Sequence, residues 1–244
     1  LNENGVLYDY GRSDLDYDTD VIGRKSTEVI RRHASTNASD PLFLFLSLQA
    51  PHEPATYAHR HRDLFARQEG EVERVPSFNE GIVTDKPAWV QNTPPLTSED
   101  ERRLDNFQQA RLRTLVAVEE LLESVVAEMR ASRPGRPFYV VFTSDNGLLL
   151  GEHRISRRKG NPYEEAIRVP LFVVGPDIPQ RQRVSDFALN IDLAPTLLDL
   201  AGLPIPGQVD GRSLLPFLRG QRPASWRTDF LVEDLQGDLT GTLR

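Results

Sequence analysis

Cysteine is absent from the 244 residues, and lysine occurs only three times, at Lys25, Lys86 and Lys159. Without a thiol the chain has no disulfide framework, no thiolate metal site and no cysteine nucleophile. The compartment stays open, because a large domain can be secreted without disulfides. No apolar run reaches the ~18 residues that a membrane-spanning helix needs. Positive charge is also short: 29 Lys and Arg stand against 36 Asp and Glu, a net charge of −7. A mildly acidic balance argues against general nucleic-acid binding. No internal repeat or low-complexity tract is visible. The chain opens on Leu1 rather than Met, with no charged-then-apolar leader, and reads as a piece of a longer product.

What is present is an ordinary globular composition, 39% hydrophobic and 27% charged, enough for one large domain or one domain with a partial second. Residues 2–10 read as a short turn and strand. Asp18 is placed to cap a helix over 19–32, with Val21, Val29 and Ile30 on its apolar side. The run LFLFLSL (42–48) has the pattern of a strand buried on both faces of a parallel sheet. Residues 70–97 hold several prolines and little periodicity, the mark of a long surface excursion. Apolar residues from Leu104 to Met129 recur at helical spacing, which predicts a helix over 98–130. Two further apolar runs, FYVVFT (138–143) and VPLFVV (169–174), read as strands. Asp192 is placed to cap a helix over LAPTLLDLA, closed by Gly202. Alternating strands and helices predict an α/β fold, a mostly parallel sheet sandwiched by helices.

In such folds ligands gather at the carboxyl ends of strands. Asp145 and Asn146 stand where FYVVFT ends, and His52 follows LFLFLSLQAP. Asp and Asn offer hard oxygen ligands that suit calcium or magnesium rather than zinc or copper. An isolated Asp-Asn-Gly is more simply a turn. Two ligands also fall short of the six to eight oxygens calcium takes. The run Asp14, Asp16, Asp18, Asp20 does not form an EF-hand: Thr19 stands where that loop needs glycine and Lys25 where it needs glutamate. Lys159 lies among Arg154, Arg157 and Arg158. The arginines read as a solvated loop, whereas a lone lysine suits a place where a compact ammonium grips a tetrahedral anion. His52 has the chemistry of a general acid near neutral pH, while His33, His59 and His61 read as polar surface. Glu165 and Arg168 are expected to form an ion pair before the next strand.

Taken in order, the stretches LNENGVLYDYG, DYDTDVIGRKSTEVI, PLFLFLSLQAPHEP, FNEGIVTDKPAWVQNTPPL, residues 143–178, NIDLAPTLLDLAG and DGRSLLPFLRG resemble the sulfatase family of the alkaline phosphatase superfamily. The likeness is strongest to its N-acetylglucosamine-6-sulfatase and arylsulfatase-like members. The most specific pattern is TSDNG…GEH…K…YEE…RVPL…GP. This resemblance implies calcium (or magnesium) ligation by Asp145 and Asn146, sulfate contact by Lys159, and sulfate contact or leaving-group protonation by His52. His153 is a substrate-binding candidate of less defined role. The resemblance further implies a sulfuric ester hydrolase acting on a sulfate ester, a sulfated sugar among the candidates, through a formylglycine. That residue is made from the Cys or Ser of a C/S-x-P-x-R motif. Ser132-Arg133-Pro134-Gly135-Arg136 matches the string, but it lies at the amino end of FYVVFT, away from Asp145, and is set aside. The nucleophile is therefore expected outside this chain, which alone should be inactive. Residues 1–229 read as the sulfatase α/β domain lacking its N-terminal part, and 230–244 as the start of a small C-terminal antiparallel subdomain. Neither nucleic acid nor a membrane span is implied, and the expected location is periplasmic, secreted or lysosome-like. The alternatives are a phosphonate or phosphodiester hydrolase of the same superfamily, or a catalytically dead binding protein with this fold.

Overall fold

The computed structural model describes residues 1–11, 13–37, 39–66 and 70–233. Residues 1–136 with 150–157 form one compact unit, and residues 137–149 with 158–244 a second.

In the first unit, β1 (Asn2–Glu3) and β2 (Val6–Leu7) pair antiparallel. Asn4 and Gly5 between them both take positive φ, 52° and 91°, as a two-residue Asn-Gly hairpin turn requires. Three helices follow: α1 (Asp18–Thr36), α2 (Ala88–Gln91) and α3 (Ser98–Ser132). Helix α1 is longer than predicted. Asp18 is its first residue rather than its cap, with Oδ1 accepting the Thr19 N–H at 2.7 Å. Helix α3 starts at a reciprocal cap: Thr97 Oγ1 accepts the Asp100 N–H at 3.2 Å and Asp100 Oδ2 accepts the Thr97 N–H at 2.9 Å. Val21 and Ile30 of α1 and Leu104, Phe107, Ala117, Val118 and Leu121 of α3 are buried and supply much of this unit's core. Arg60 joins the two helices, bonding Asp20 at 2.7 and 2.8 Å and Glu120 at 3.1 Å. His61, buried beside it, lies 3.0 Å from Glu120 and is not the polar surface predicted.

Residues 42–48 form no strand and join no ladder among the described residues. Phe43 and Phe45 are 70% and 78% exposed, while the leucines between them are half-buried. The expected burial on both faces is not met. An apolar run can pattern a strand, but a strand also needs a neighbour to share its hydrogen bonds.

In the second unit, β3 (Val140–Thr143), α4 (Glu164–Ile167), β4 (Leu171–Val174), α5 (Leu193–Leu200) and α6 (Leu215–Leu218) follow in order. Helices and strands thus alternate, as the α/β class requires. The pairing differs from the mostly parallel sheet expected: among the described residues both ladders are antiparallel. Val140 pairs with Val174 and Thr143 with Leu171. Apolar runs carry no direction; the connection sets it. Here Leu149 bridges Arg158 and the Gly147 N–H reaches Ala166 O at 2.8 Å, so Arg158 and Ala166 come back beside Leu149 and Gly147 as at the end of a long hairpin.

Helix α5 ends as predicted. Gly202 (φ 69°) follows its last turn, with Gly202 N–H to Asp199 O at 3.0 Å and Leu203 N–H to Leu198 O at 2.9 Å. Asp192 precedes α5 but does not cap it. Its carboxylate accepts the Leu189 and Arg212 N–H groups, each at 2.8 Å, and both Nη groups of Arg227. The Glu165–Arg168 pair is also revised: Arg168 faces Glu164 at 3.5 Å, one helical turn back. Of the predicted subdomain at 230–244, residues 234–244 lie outside the described residues.

Candidate functional site

In the second unit, β3 runs out into Ser144, Asp145 and Asn146. The turn is held internally: Ser144 Oγ donates to Asn146 O at 2.9 Å, and Asp145 Oδ1 accepts the Asn146 N–H at 2.9 Å. The Asn146 amide nitrogen donates to Gly147 O at 2.8 Å, which leaves Oδ1 as the atom for a ligand. Asp145 is exposed and its Oδ2 has no hydrogen-bond partner among the described residues. These donors fit calcium or magnesium by type, but they fill a fraction of either shell. Among the described residues no group of three or more His, Asp or Glu is arranged to hold a metal.

Gly147 makes this turn possible. A Cβ there would lie 2.0 Å from Glu165 O, a clash with backbone that no side-chain rotation relieves. Gly147→Ala is expected to destabilise the protein by ~1–3 kcal/mol, whereas Gly81→Ala, with nothing within 4 Å of the added carbon, should be close to neutral. Urea denaturation of both variants checks this.

Lys159 is exposed and lies one residue beyond the Leu149–Arg158 bridge. Two residues further on, Asn161 is 3% exposed and its Nδ2 has no hydrogen-bond partner. A buried orphan donor costs ~1–3 kcal/mol. Sequence reading passed over Asn161, because nothing local marks an asparagine as buried.

In the first unit, His52 sits in a turn closed by His52 N–H to Gln49 O at 2.7 Å and Ala55 N–H to His52 O at 2.9 Å. Its Nδ1 lies 2.8 Å from Glu53 O; a carbonyl only accepts, so Nδ1 carries the proton. Glu53 in turn pairs with Arg157 at 2.8 Å.

His153 belongs to a different cluster of the same unit. Its Nδ1 is 2.7 Å from Glu80 Oε1, and its backbone, at φ 53°, donates to Ser77 O at 2.7 Å. Arg154 donates to Glu80 O at 2.9 Å and Gly81 O at 2.8 Å. The solvated-loop reading therefore fails for Arg154, which ties down backbone, and for Arg157, which is paired. It also fails for part of residues 70–97: Phe78 bridges Glu152 and the Asn79 N–H reaches Gly151 O at 2.8 Å. Glu80, 73 residues from His153, was not legible in sequence, since no short-range pattern links them. The set-aside motif at 132–136 is engaged structurally: Arg133 is buried and donates to Asp40 O at 2.8 Å, and Arg136 donates to Ser39 O at 3.0 Å.

The second unit is thus a mixed α/β arrangement with an oxygen-bearing turn, Asp145-Asn146, at the end of β3. The Sulfatase family model matches residues 2–203, and the chain belongs to the sulfatase family. It is 35% identical over 237 residues to the N-acetylglucosamine-6-sulfatase of Homo sapiens, covering 96% of this chain and 42% of that protein. It is 33% identical over 240 residues to the extracellular sulfatase SULF-1 homolog of Drosophila melanogaster, covering 96% of this chain and 21% of that one. The chain thus spans less than half the length of these relatives. Among solved structures it resembles one in complex with its substrate D-glucosamine-2-N,6-O-disulfate, with TM-score 0.66, 23% identity, and coverage of 92% and 56%. A phosphonate monoester hydrolase from Silicibacter pomeroyi gives TM-score 0.68 at 23% identity, covering 88% and 44%. These structural likenesses show the fold that the chain shares with those proteins.

Proposed function

We propose that this chain is part of a sulfuric ester hydrolase acting on sulfated sugars. The observation that supports it most is the match of the Sulfatase family model to residues 2–203, a span that holds Asp145, Asn146, Lys159, His52 and His153. In this reading Asp145 and Asn146 supply two oxygens to a calcium ion, with magnesium as the alternative. When bound, the cation supplies positive charge against the ester's oxygens. Lys159 holds a sulfate oxygen through its ammonium. His52, with Nδ1 committed to Glu53 O, uses Nε2 to contact sulfate or to return a proton to the leaving alcohol. His153, anchored on Glu80, contributes to substrate binding. The nucleophile, a formylglycine by family likeness, is not among these residues. Residues 1–229 are assigned to the sulfatase α/β domain and 230–244 to the start of a C-terminal subdomain. An extracytoplasmic location is favoured by likeness to a relative named as extracellular. No helix among the described residues is long and apolar enough to cross a membrane.

The test is hydrolysis of an aryl sulfate and of glucosamine 6-O-sulfate by an enzyme that contains this chain. Turnover is expected to require calcium, to vanish with chelator and to return with calcium but not zinc. The isolated 244-residue chain should be inactive. Stoichiometric zinc at Asp145 and Asn146, or turnover of phosphonate monoesters in preference to sulfates, would transfer the protein to the other branch of the superfamily. Absence of all turnover with the metal bound would leave a binding protein.

A further inference from the structure

The chain holds nine asparagines, and one of them, Asn37, opens the triplet Asn37-Ala38-Ser39. An asparagine followed two positions later by Ser or Thr, with no proline between, is the acceptor sequence for N-linked glycosylation. Asn92-Thr93-Pro94 lacks the hydroxyl at its third position, and no other asparagine of the sequence meets the rule. A three-residue match recurs by chance, so the fold has to decide whether the acceptor is usable. An N-glycan is bulky and hydrated. Its asparagine must therefore face solvent in the finished fold, clear of helix and ladder.

Asn37 meets these conditions within the first unit. It follows the last residue of α1, where its backbone has left helical geometry at φ −137° and ψ 47°. Asn37 and Ser39 are both exposed. The segment is anchored through its backbone. The Asn37 N–H donates to His33 O at 2.8 Å, and Asn37 O accepts the Asp40 N–H at 3.0 Å. Arg136 donates to Ser39 O at 3.0 Å, and the buried Arg133 donates to Asp40 O at 2.8 Å. Ser39 Oγ keeps one long bond, 3.3 Å, to Asp40 Oδ1. The Asn37 carboxamide has no hydrogen-bond partner among the described residues. Other asparagines are already committed. Asn2 Oδ1 accepts the Gly5 N–H, Asn79 donates to Leu96 O and Glu101, and Asn146 donates to Gly147 O. Asn190 Oδ1 accepts the Ile191 N–H, and Asn161 is buried. The one asparagine in an acceptor triplet is thus exposed and uncommitted, on a turn whose fixed points are main-chain atoms.

We propose that Asn37 is an acceptor site for N-linked glycosylation. The donor is an oligosaccharide carried on a lipid pyrophosphate. Asn37 Nδ2 attacks the anomeric carbon of the first sugar. The carbon–nitrogen bond forms as the bond from that carbon to the pyrophosphate oxygen breaks. The lipid pyrophosphate leaves with the bonding electron pair, and one amide proton passes to a base of the transferase. No oxidant or reductant is consumed. The acceptor rests on the triplet and its exposure; that the protein meets such a donor in its own cells rests on the extracytoplasmic location proposed above.

The experiment uses the full-length enzyme containing this chain, recovered from its own cells and, separately, from animal cells that export it behind an added leader. Trypsin releases residues 33–60 as one peptide. An amidase that removes N-glycans converts a glycosylated asparagine to aspartate, and in heavy-oxygen water it leaves a label that mass spectrometry locates. The expected result is label at Asn37 of the exported enzyme, and none when the amidase is omitted. Asn37→Gln and Ser39→Ala should each abolish it, whereas Ser39→Thr, which keeps the hydroxyl, should retain it. Asn37 is not among the residues assigned to the sulfate ester, so Asn37→Gln should leave turnover of an aryl sulfate unchanged. An unlabelled Asn37 in the exported enzyme, or a label that survives Ser39→Ala, would overturn the acceptor site. Label in the exported enzyme but not in the enzyme from its own cells would count against the extracytoplasmic location while supporting the acceptor.

Discussion

Replacing Lys159 by Ala in an active enzyme containing this chain is expected to lower turnover by about two to three orders of magnitude without loss of fold. The scale is that of removing one preorganised donor from a developing anion. Lys159 is exposed on the returning segment and contributes to no described core, so its loss should leave the denaturation midpoint unchanged. Lys159→Arg should recover little of the lost activity, because a planar fork does not reproduce a compact point charge. The proper control is Arg168→Ala, which removes an exposed cation from the same unit and loses a surface pair with Glu164 at 3.5 Å, a contact worth little. Arg157 does not serve as a control, because it is paired with Glu53 and lies over Phe107. Equal, small effects at Lys159 and Arg168 would show that the ammonium holds nothing during turnover.

The largest stability effect is expected at Asp192. This residue is 0% exposed and receives the Leu189 and Arg212 N–H groups and both Nη groups of Arg227. Removing one member of a buried pair strands the other charge, at a cost of ~3–5 kcal/mol. Asp192→Ala should therefore lose most of that amount in urea denaturation. Trp226, whose ring centre lies 4.8 Å from the Arg227 guanidinium carbon, provides a local fluorescence signal. Burial by itself would raise the Asp192 carboxyl, but Arg227 and the two backbone donors outweigh it and hold the group below the ordinary aspartate value. A depressed carboxyl stabilises the fold above the unfolded value, about pH 4, and that stabilisation is lost as the pH falls through the lower native value. Asp192→Asn should accordingly flatten part of the acid limb of the stability curve. An unchanged limb would mean that the pair contributes no net pH-dependent stability.

The local devices of this chain were legible in its residues. The Asn4-Gly5 turn, the start of α3 near Ser98, the Gly202 ending of α5 and the polar turn after FYVVFT all rest on interactions within a few residues. Family likeness was legible too, because it is carried by the order of such segments. Strand direction was not. The apolar runs 138–143 and 169–174 have no polarity of their own, and their antiparallel register goes with the contacts of Gly147 with Ala166 and of Leu149 with Arg158.

Partner choice among charged side chains was equally closed to sequence reading. Asp192 looks like a helix cap until Arg227, 35 positions away, claims its carboxylate. Arg154 and Arg157 look like solvated loop until Glu80, Gly81 and Glu53 come within reach. Glu80 becomes visible only because the chain folds residues 77–80 against 151–154. The sequence by itself determined which side chains can bind an anion or a hard cation, since that is a matter of their chemistry. Only the tertiary structure decided which of them are already occupied by one another, because Coulombic and hydrogen-bond energies depend on distances in space. That difference separates Arg157, paired with Glu53, from Arg111, half-buried and bonded to a neutral amide.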